Sequence, residues 1–134
     1  MTVVVLDTNV VIALLSPTDS LHEPARAAVL RQERAGARFE MSTVALAELL
    51  AGALRRGGPA VKAVDAFVAA SVDHVVPVDE DVAACAADLR SKHPALRMPD
   101  AIMLATGLRA RSGVVLTGDK RLARHAPEVV EAVG

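Results

Sequence analysis

Apolar and polar positions follow one another along this chain in a repeated order of short β-branched runs and longer helical stretches. Val3–Leu6 is an apolar run of the kind that is buried on both faces of a parallel sheet. His22–Arg34 places small and aliphatic residues at helical spacing, with the charged residues mostly on the opposite face. Ser42 is a favourable N-cap for a helix that begins at Thr43. The pattern therefore predicts alternating strands and helices.

Proline, glycine and capping residues divide the rest of the chain in the same way. We predict strands at Val3–Leu6, Arg38–Met41, His74–Val78 and Gly113–Leu116, with a short fifth strand at Val129–Val130. We predict helices at about Thr8–Leu15, His22–Arg34, Thr43–Leu54, Ala60–Ala70 and Pro99–Arg109, and a short helix or turn at Asp119–His125. Asp79 is the predicted cap of a further helix that runs to about Lys92. Such alternation indicates an α/β fold, with a parallel sheet covered on both faces by helices through right-handed crossovers. The 134 residues suit a single domain, 1–134.

Composition excludes several classes of protein. The single cysteine, Cys85, allows no disulfide within the chain, which fits a reducing compartment. The longest apolar stretches are shorter than the roughly 20 residues of a membrane-spanning helix, and no signal sequence stands out, so we expect a cytoplasmic protein without a membrane partner. The only aromatic residues are Phe39 and Phe67, too few for a platform on which bases stack. Any nucleic acid must be held by charge, backbone and metal.

Four acidic residues stand apart from the other charges of the chain. Asp7, Glu48 and Asp100 are each the only charged residue of an otherwise uncharged segment. Asp119 follows the apolar run Val114–Leu116 and a Thr-Gly turn. An ionised carboxylate buried without a partner costs several kcal/mol, so each needs a partner from elsewhere in the fold or a bound cation. In a parallel sheet the carboxyl ends of the strands share one edge, and we expect the four side chains to meet there.

Four carboxylates in one pocket repel one another, and one or two divalent cations would offset that repulsion. Hard oxygen ligands favour Mg²⁺ or Mn²⁺ over zinc, and the four histidines show no paired spacing. Metals held in this way activate water and stabilise charge on a phosphate, which predicts phosphodiester hydrolysis. We expect three polar neighbours to orient the carboxylates or the water through hydrogen bonds: Thr8, Asn9 and Thr117.

Three arginines are candidates for contact with RNA or with a partner protein: Arg55, Arg56 and Arg97. The first two precede the flexible pair Gly57 and Gly58, where a solvated helix end is an equally good interpretation. Arg97 lies just before the predicted helix that contains Asp100.

Four segments resemble, in order and spacing, the signature of PIN domains: Leu6–Val10, Ala47–Leu49, Met98–Ile102 and Leu116–Asp119. The chain length is similar to that of the VapC-type toxins of bacterial toxin–antitoxin pairs. The resemblance implies a three-layer α/β fold with a five-stranded parallel sheet, dependence on Mg²⁺ or Mn²⁺, and endonucleolytic cleavage of RNA, often tRNA or rRNA. It also implies a homodimer and an antitoxin that blocks the site.

The resemblance assigns the metal to a quartet of carboxylates: Asp7, Glu48, Asp100 and Asp119. Thr117 matches the family's hydroxyl residue two positions before the last aspartate. The chain departs from the family pattern just after that aspartate, where Lys120, Arg121 and Leu122 stand in place of a frequent aromatic residue.

Other functions remain open at this point. A phosphatase of the haloacid-dehalogenase type also uses an aspartate after its first strand, but it needs a second acid two residues later, where this chain has Asn9. A phospho-acceptor receiver domain needs a paired acid and a lysine near the last strand, which fits poorly. A PIN-like binding module that has lost catalysis is the third alternative, and the complete quartet argues against it.

Overall fold

The computed structural model describes residues 1–134, which form five strands, six α-helices and one 3₁₀ helix. The strands are β1 (Val3–Leu6), β2 (Arg38–Ser42), β3 (His74–Val76), β4 (Gly113–Thr117) and β5 (Val130–Ala132). The α-helices are α1 (Thr8–Leu15), α2 (His22–Arg34), α3 (Thr43–Arg56), α4 (Gly58–Ser71), α5 (Glu80–Lys92) and α6 (Met98–Arg109), and the 3₁₀ helix is Lys120–Arg124. None of the helices combines the length and the hydropathy needed to cross a membrane.

The predicted elements are all present, and the differences lie at their ends. Strand β3 stops at Val76 because the next residue, Pro77, has no N–H to donate to the sheet. Helix α4 begins at Gly58, so that Pro59 occupies the first turn, where its missing N–H is tolerated. Strand β5 begins at Val130, one residue later than predicted, because the Val129 N–H donates to Ala126 O within a turn.

All five strands run parallel in the spatial order β3-β2-β1-β4-β5. Strand β1 is central: Val4 pairs with Phe39 of β2 on one side and with Val114 of β4 on the other. The chain builds the sheet outward from β1 through β2 and β3, and then returns to add β4 and β5 on the other side. The crevice beyond the carboxyl ends of β1 and β4 is therefore the switch point, where open α/β sheets bind ligands.

Strand β1 contributes to two separate cores on opposite faces of the sheet. Val4 and Leu6 are fully buried against the helices α1 to α4 on one face. Val5 is fully buried on the other face, where α5 and α6 cover it. Alternate residues of a strand point to opposite faces, so this run of apolar residues needs helices on both sides. The predicted three-layer arrangement is thus confirmed.

Helix α6 lies so close to the sheet that one of its residues has room for no side chain. A Cβ placed on Gly107 would overlap Val115 Cγ2 of β4 and would come within 3.3 Å of Val129 Cγ2. Both valines are buried apolar residues on the α6 side of the sheet. This close packing fixes the position of α6, whose first turn contains Asp100.

We therefore expect Gly107→Ala to lower the free energy of unfolding by about 1–2 kcal/mol, because overpacking of the core outweighs the gain of about 1 kcal/mol in helix propensity. Gly52→Ala in α3 is the matched control, since a Cβ there would meet only Arg55 Nη2 at 3.8 Å. That variant should be as stable as the original chain or more stable. Urea unfolding of both variants measures the difference, and a Gly107→Ala protein with unchanged stability would contradict the packing described.

Candidate active site

A pocket of about 200 Å³ opens at the carboxyl ends of β1 and β4. All four carboxylates singled out in the sequence line it, together with one of the three candidate arginines and three further residues: Asp7, Glu48, Asp100, Asp119, Arg97, Thr8, Asn9 and Ile12. The four segments of chain that contain these acids come from different parts of the sequence and share this one pocket. Their gathering agrees with the sequence-based expectation.

Asp7 directly follows β1, and hydrogen bonds to β4 hold it in place. Its backbone N–H donates to Leu116 O at 3.0 Å. Its Oδ2 accepts a hydrogen bond of 2.7 Å from the Thr117 hydroxyl, which itself accepts one of 3.0 Å from the Asp119 N–H. Because the hydroxyl accepts from that N–H, its single proton is directed at the Asp7 carboxylate. Asp7 occupies the N-cap position of α1 but makes no side-chain cap, so its carboxylate is not used to cap the helix.

The environment of Asp7 opposes its negative charge. The residue is only 9% exposed, and this desolvation is the largest cause that raises the pKa of its carboxyl above 3.8. Hydrogen bonds from Thr117 and from the backbone of Thr8 lower the pKa, whereas the charges of Asp100 and Glu48 raise it further. The net direction is upward. A cation in the pocket would act against both desolvation and the like-charge repulsion.

Glu48 reaches the pocket from α3, a helix that is well anchored at its start. Ser42 caps α3 by accepting a hydrogen bond of 3.2 Å from the Val44 N–H. The Thr8 hydroxyl donates to Ala45 O at 3.2 Å and so ties the start of α1 to α3 one turn before Glu48. The Glu48 side chain is exposed and is engaged in no ion pair.

The other two carboxylates are each held by an arginine. Arg97 Nε lies 3.4 Å from Asp100 Oδ2 in the first turn of α6. Arg121 donates a hydrogen bond to each oxygen of Asp119, with Nε 3.0 Å from Oδ1 and Nη2 2.9 Å from Oδ2. The hydrogen bonds from the Arg121 side chain are the largest cause that lowers the pKa of the Asp119 carboxyl, and the charge of Arg97 lowers it further.

In this arrangement no group of three or more Asp, Glu, His or Cys side chains has the geometry to hold a metal ion. The backbone gathers the carboxylates around one pocket, but two of them, Asp100 and Asp119, point their oxygens at guanidinium groups. Both arginine side chains are largely exposed, and exposed ion pairs add little to stability. Turning the two carboxylates toward the pocket would therefore cost little free energy.

The polar neighbours of the carboxylates act less directly than the sequence indicated, Thr117 excepted. The Thr8 hydroxyl bonds to α3 rather than to a carboxylate. Asn9 Oδ1 accepts a hydrogen bond of 2.9 Å from the Gly118 N–H, and so fixes the loop that presents Asp119. Thr8 and Asn9 thus position backbone segments around the pocket.

Neither of the remaining candidate arginines lines the pocket of the four acids, and sequence reasoning missed one functional candidate. Arg56 lines a separate groove that also includes Glu48, and Arg55 folds back toward Gly52 of its own helix. Sequence reasoning did not single out Arg121. The signal that could have identified Arg121 is its position two residues after Asp119. There it only marked a departure from the family pattern, which often has an aromatic residue.

Comparison with known proteins gives one family and a consistent set of folds. The PIN domain family model matches residues 4–127. VapBC2 from Rickettsia felis, crystallised with a DNA fragment from its promoter, superposes with a TM-score of 0.81 at 13% identity, over 98% of this chain and 99% of that chain. A toxin–antitoxin complex from Klebsiella pneumoniae gives a TM-score of 0.75 at 23% identity, over 96% of each chain.

A third similar structure is VapC20 of Mycobacterium tuberculosis, a sarcin–ricin loop cleaving toxin. It superposes with a TM-score of 0.72 at 23% identity, over 98% of this chain and 99% of that chain. Likeness at these identities establishes the fold, which is the predicted PIN-like one. Comparison with curated protein sequences gave no match.

The raised pKa of Asp7 predicts that this carboxylate destabilises the metal-free protein at neutral pH. Because the folded chain binds the proton more tightly than the unfolded chain, its contribution to stability falls as pH rises from about 3.8 through the folded pKa. We therefore expect Asp7→Asn to melt at a higher temperature than the original chain at pH 7 in EDTA, with the gap closing toward pH 4. Asp65→Asn, on the exposed face of α4, should show no such difference. An Asp7→Asn protein that is destabilised at pH 7 at least as much as at pH 4 would contradict the electrostatic account.

Proposed function

Because the chain belongs to the PIN domain family, we propose that it is a divalent-metal-dependent endoribonuclease that acts as the toxin of a VapBC-type pair. The observation that supports this most directly is the single pocket lined by Asp7, Glu48, Asp100 and Asp119. All four come from motifs of the family, and the pocket lies at the switch point of the sheet.

The chemistry of the donors suits Mg²⁺ or Mn²⁺. Asp7, Glu48, Asp100 and Asp119 offer only carboxylate oxygens, which such ions prefer. Desolvation and repulsion at Asp7 are the conditions that a bound cation relieves. When bound, the ion supplies a water of lowered pKa and stabilises charge on the phosphodiester.

The chain's own residues hold these groups in place. The Thr117 hydroxyl directs its proton at Asp7 Oδ2 and thus fixes the orientation of the carboxylate. Asp100 enters from the N-terminus of α6, where the helix dipole favours a negative charge. Glu48, which is engaged in no ion pair, lines the pocket from α3.

An apolar groove on this chain supports the proposal that an antitoxin binds it. An apolar groove of about 160 Å³ runs between α1, α3 and α4 and reaches Glu48; its lining includes Ile12, Leu15, Leu49, Ala53, Val64 and Arg56. Ile12 and Leu15 are exposed apolar side chains of α1 that a partner would cover. The Klebsiella pneumoniae relative in fold is a toxin–antitoxin complex. A segment bound in this groove would lie beside the pocket and obstruct it. A tRNA or rRNA substrate, a homodimer and a cytoplasmic location stay predictions.

Asp100→Asn should reduce RNA cleavage by at least about 100-fold in Mg²⁺, because it removes an oxygen donor and a charge from the metal site. The measurement is cleavage of end-labelled total tRNA and rRNA by the purified protein, in Mg²⁺, in Mn²⁺ and in EDTA. Asp65→Asn serves as the control and should cleave normally.

Cleavage by Asp100→Asn at the original rate would refute the site assignment. Hydrolysis of a small phosphomonoester without RNA cleavage would instead indicate the phosphatase-like alternative. Binding of RNA without cleavage in either metal would indicate an inert binding module.

Mn²⁺ should raise the melting temperature of the original chain by several degrees, because an ion that binds only the folded state stabilises it by about 2.7 kcal/mol at 100 times its dissociation constant. Asp7→Asn and Asp100→Asn should lose this response, and Asp65→Asn should keep it. Thermal-shift titration up to millimolar metal measures the effect. A flat curve for the original chain, or an undiminished response in the two site variants, is the contrary result.

A further inference from the structure

A second cavity, of about 410 Å³, opens beside the carboxylate pocket and shares three residues with it. Arg97, Asp100 and Asp119 form the common wall. The rest of the lining includes three further cationic or polar side chains: Arg121, Arg124 and His125. A nucleic acid whose scissile phosphate lies over the carboxylates must extend across one side of the pocket. The side that contains the second cavity presents positive charge to it.

Arg97, in the common wall, and the neighbouring Arg121 each pair with one of the two carboxylates of that wall. Their side chains are nevertheless 72% and 79% exposed. The charge of Arg97 also acts on Asp119, and that of Asp100 acts on Arg121. Both guanidinium groups therefore lie within reach of a ligand in solvent as well as of the carboxylates.

A carboxylate lone pair that accepts a hydrogen bond from a guanidinium is not available to a metal ion. Arg97 contacts one oxygen of Asp100, and Arg121 occupies both oxygens of Asp119. If the carboxylates turned to bind a divalent cation, the arginines would lose these partners and face a positive charge. Their planar sets of N–H donors are then free for another oxyanion, and a phosphate matches them in geometry and charge.

We propose that Arg97, Arg121 and Arg124 form a binding site for a backbone phosphate of the RNA, adjacent to the scissile one, which Asp100 and Asp119 mask until a divalent ion binds. The proposal rests on the ribonuclease function proposed above. Recognition of the RNA through its phosphate charge, and not through stacking of its bases, also suits the composition. The chain has no Trp or Tyr, and its two phenylalanines are buried or half-buried elsewhere.

The proposal predicts that one double variant binds Mn²⁺ more tightly and RNA more weakly than the original chain. In the double variant Arg97→Ala/Arg121→Ala, two cations that compete for the carboxylates are absent, so Mn²⁺ should bind about three- to tenfold more tightly. A short single-stranded RNA should bind at least about tenfold more weakly in Ca²⁺, because phosphate contacts are lost. In EDTA the variant and the original chain should bind the RNA within about twofold of each other, since the arginines are then masked.

The test combines calorimetry of Mn²⁺ binding with fluorescence anisotropy of a labelled RNA, in Ca²⁺ and in EDTA, with the RNA checked for cleavage after each titration. Arg111→Ala is the matched control, because Arg111 is an exposed arginine just before β4, at the opposite edge of the sheet. It should change neither affinity. Arg121→Lys should give an intermediate RNA affinity, since it keeps the charge but loses the planar donors.

Several results would overturn the proposal. RNA affinity in Ca²⁺ that the double variant leaves unchanged would show that no phosphate binds these arginines. An equal loss of RNA affinity in Ca²⁺ and in EDTA would show that the carboxylates do not mask them. In either case RNA cleavage by the original chain would leave the nuclease function standing. An original chain that binds no Mn²⁺ and cleaves no RNA would overturn both proposals.

Discussion

Mutual repulsion between carboxylates is the constraint around which this end of the molecule is built. Parallel strands place their carboxyl ends at one edge, and the switch point between β1 and β4 makes that edge concave. Asp7 lies at the bottom, almost wholly buried, with the charges of Asp100 and Glu48 acting on it. The Thr117 hydroxyl, directed at Asp7 from the end of β4, is the one side-chain hydrogen bond that offsets this repulsion from within the core.

The rest of the local structure compensates the same negative charge from outside. Arg97 and Arg121 approach from the solvent side and neutralise Asp100 and Asp119, while Glu48 remains without a partner. The protein therefore contains a buried carboxylate that favours a cation and a rim of exchangeable ion pairs around it. The ion pairs stabilise the fold of the site when no metal ion is bound. Because breaking an exposed ion pair costs little, the carboxylate oxygens would still be available to a metal ion. Under the proposed function, stability and metal affinity would therefore depend on the same few carboxylates.

Much of this architecture is predictable from the sequence, because its causes are local. The β-branched run Val3–Leu6 predicts a doubly buried strand, and the structure buries Val4, Val5 and Leu6 completely on alternating faces. Ser42 and Asp79 are predicted caps, and both accept hydrogen bonds from the first turns of their helices. An isolated acidic residue in an uncharged segment indicates a shared site, so the four candidate carboxylates could be singled out from the sequence as well.

What the sequence does not reveal depends on contacts between distant or flexible side chains. The two side-chain hydrogen bonds from Arg121 to Asp119 depend on the rotamers of exposed side chains. Hydrophobic periodicity along the sequence does not predict such contacts. The close approach of Gly107 to Val115 depends on how α6 crosses the sheet, which local pattern leaves undetermined. Thr8 and Asn9 are close to the acids in sequence, yet they bond to α3 and to the loop before Asp119, because the turn after β1 directs them there.

Crystallography with Mn²⁺ shows whether Asp7 and its neighbours in the pocket bind a shared divalent ion. Anomalous diffraction from crystals grown in millimolar Mn²⁺ should place a peak within about 2.0–2.3 Å of carboxylate oxygens of both Asp7 and Asp100, with Arg97 turned away from Asp100. A peak bound to other residues, or none in the pocket while Arg97 and Arg121 keep their present partners, would contradict the account.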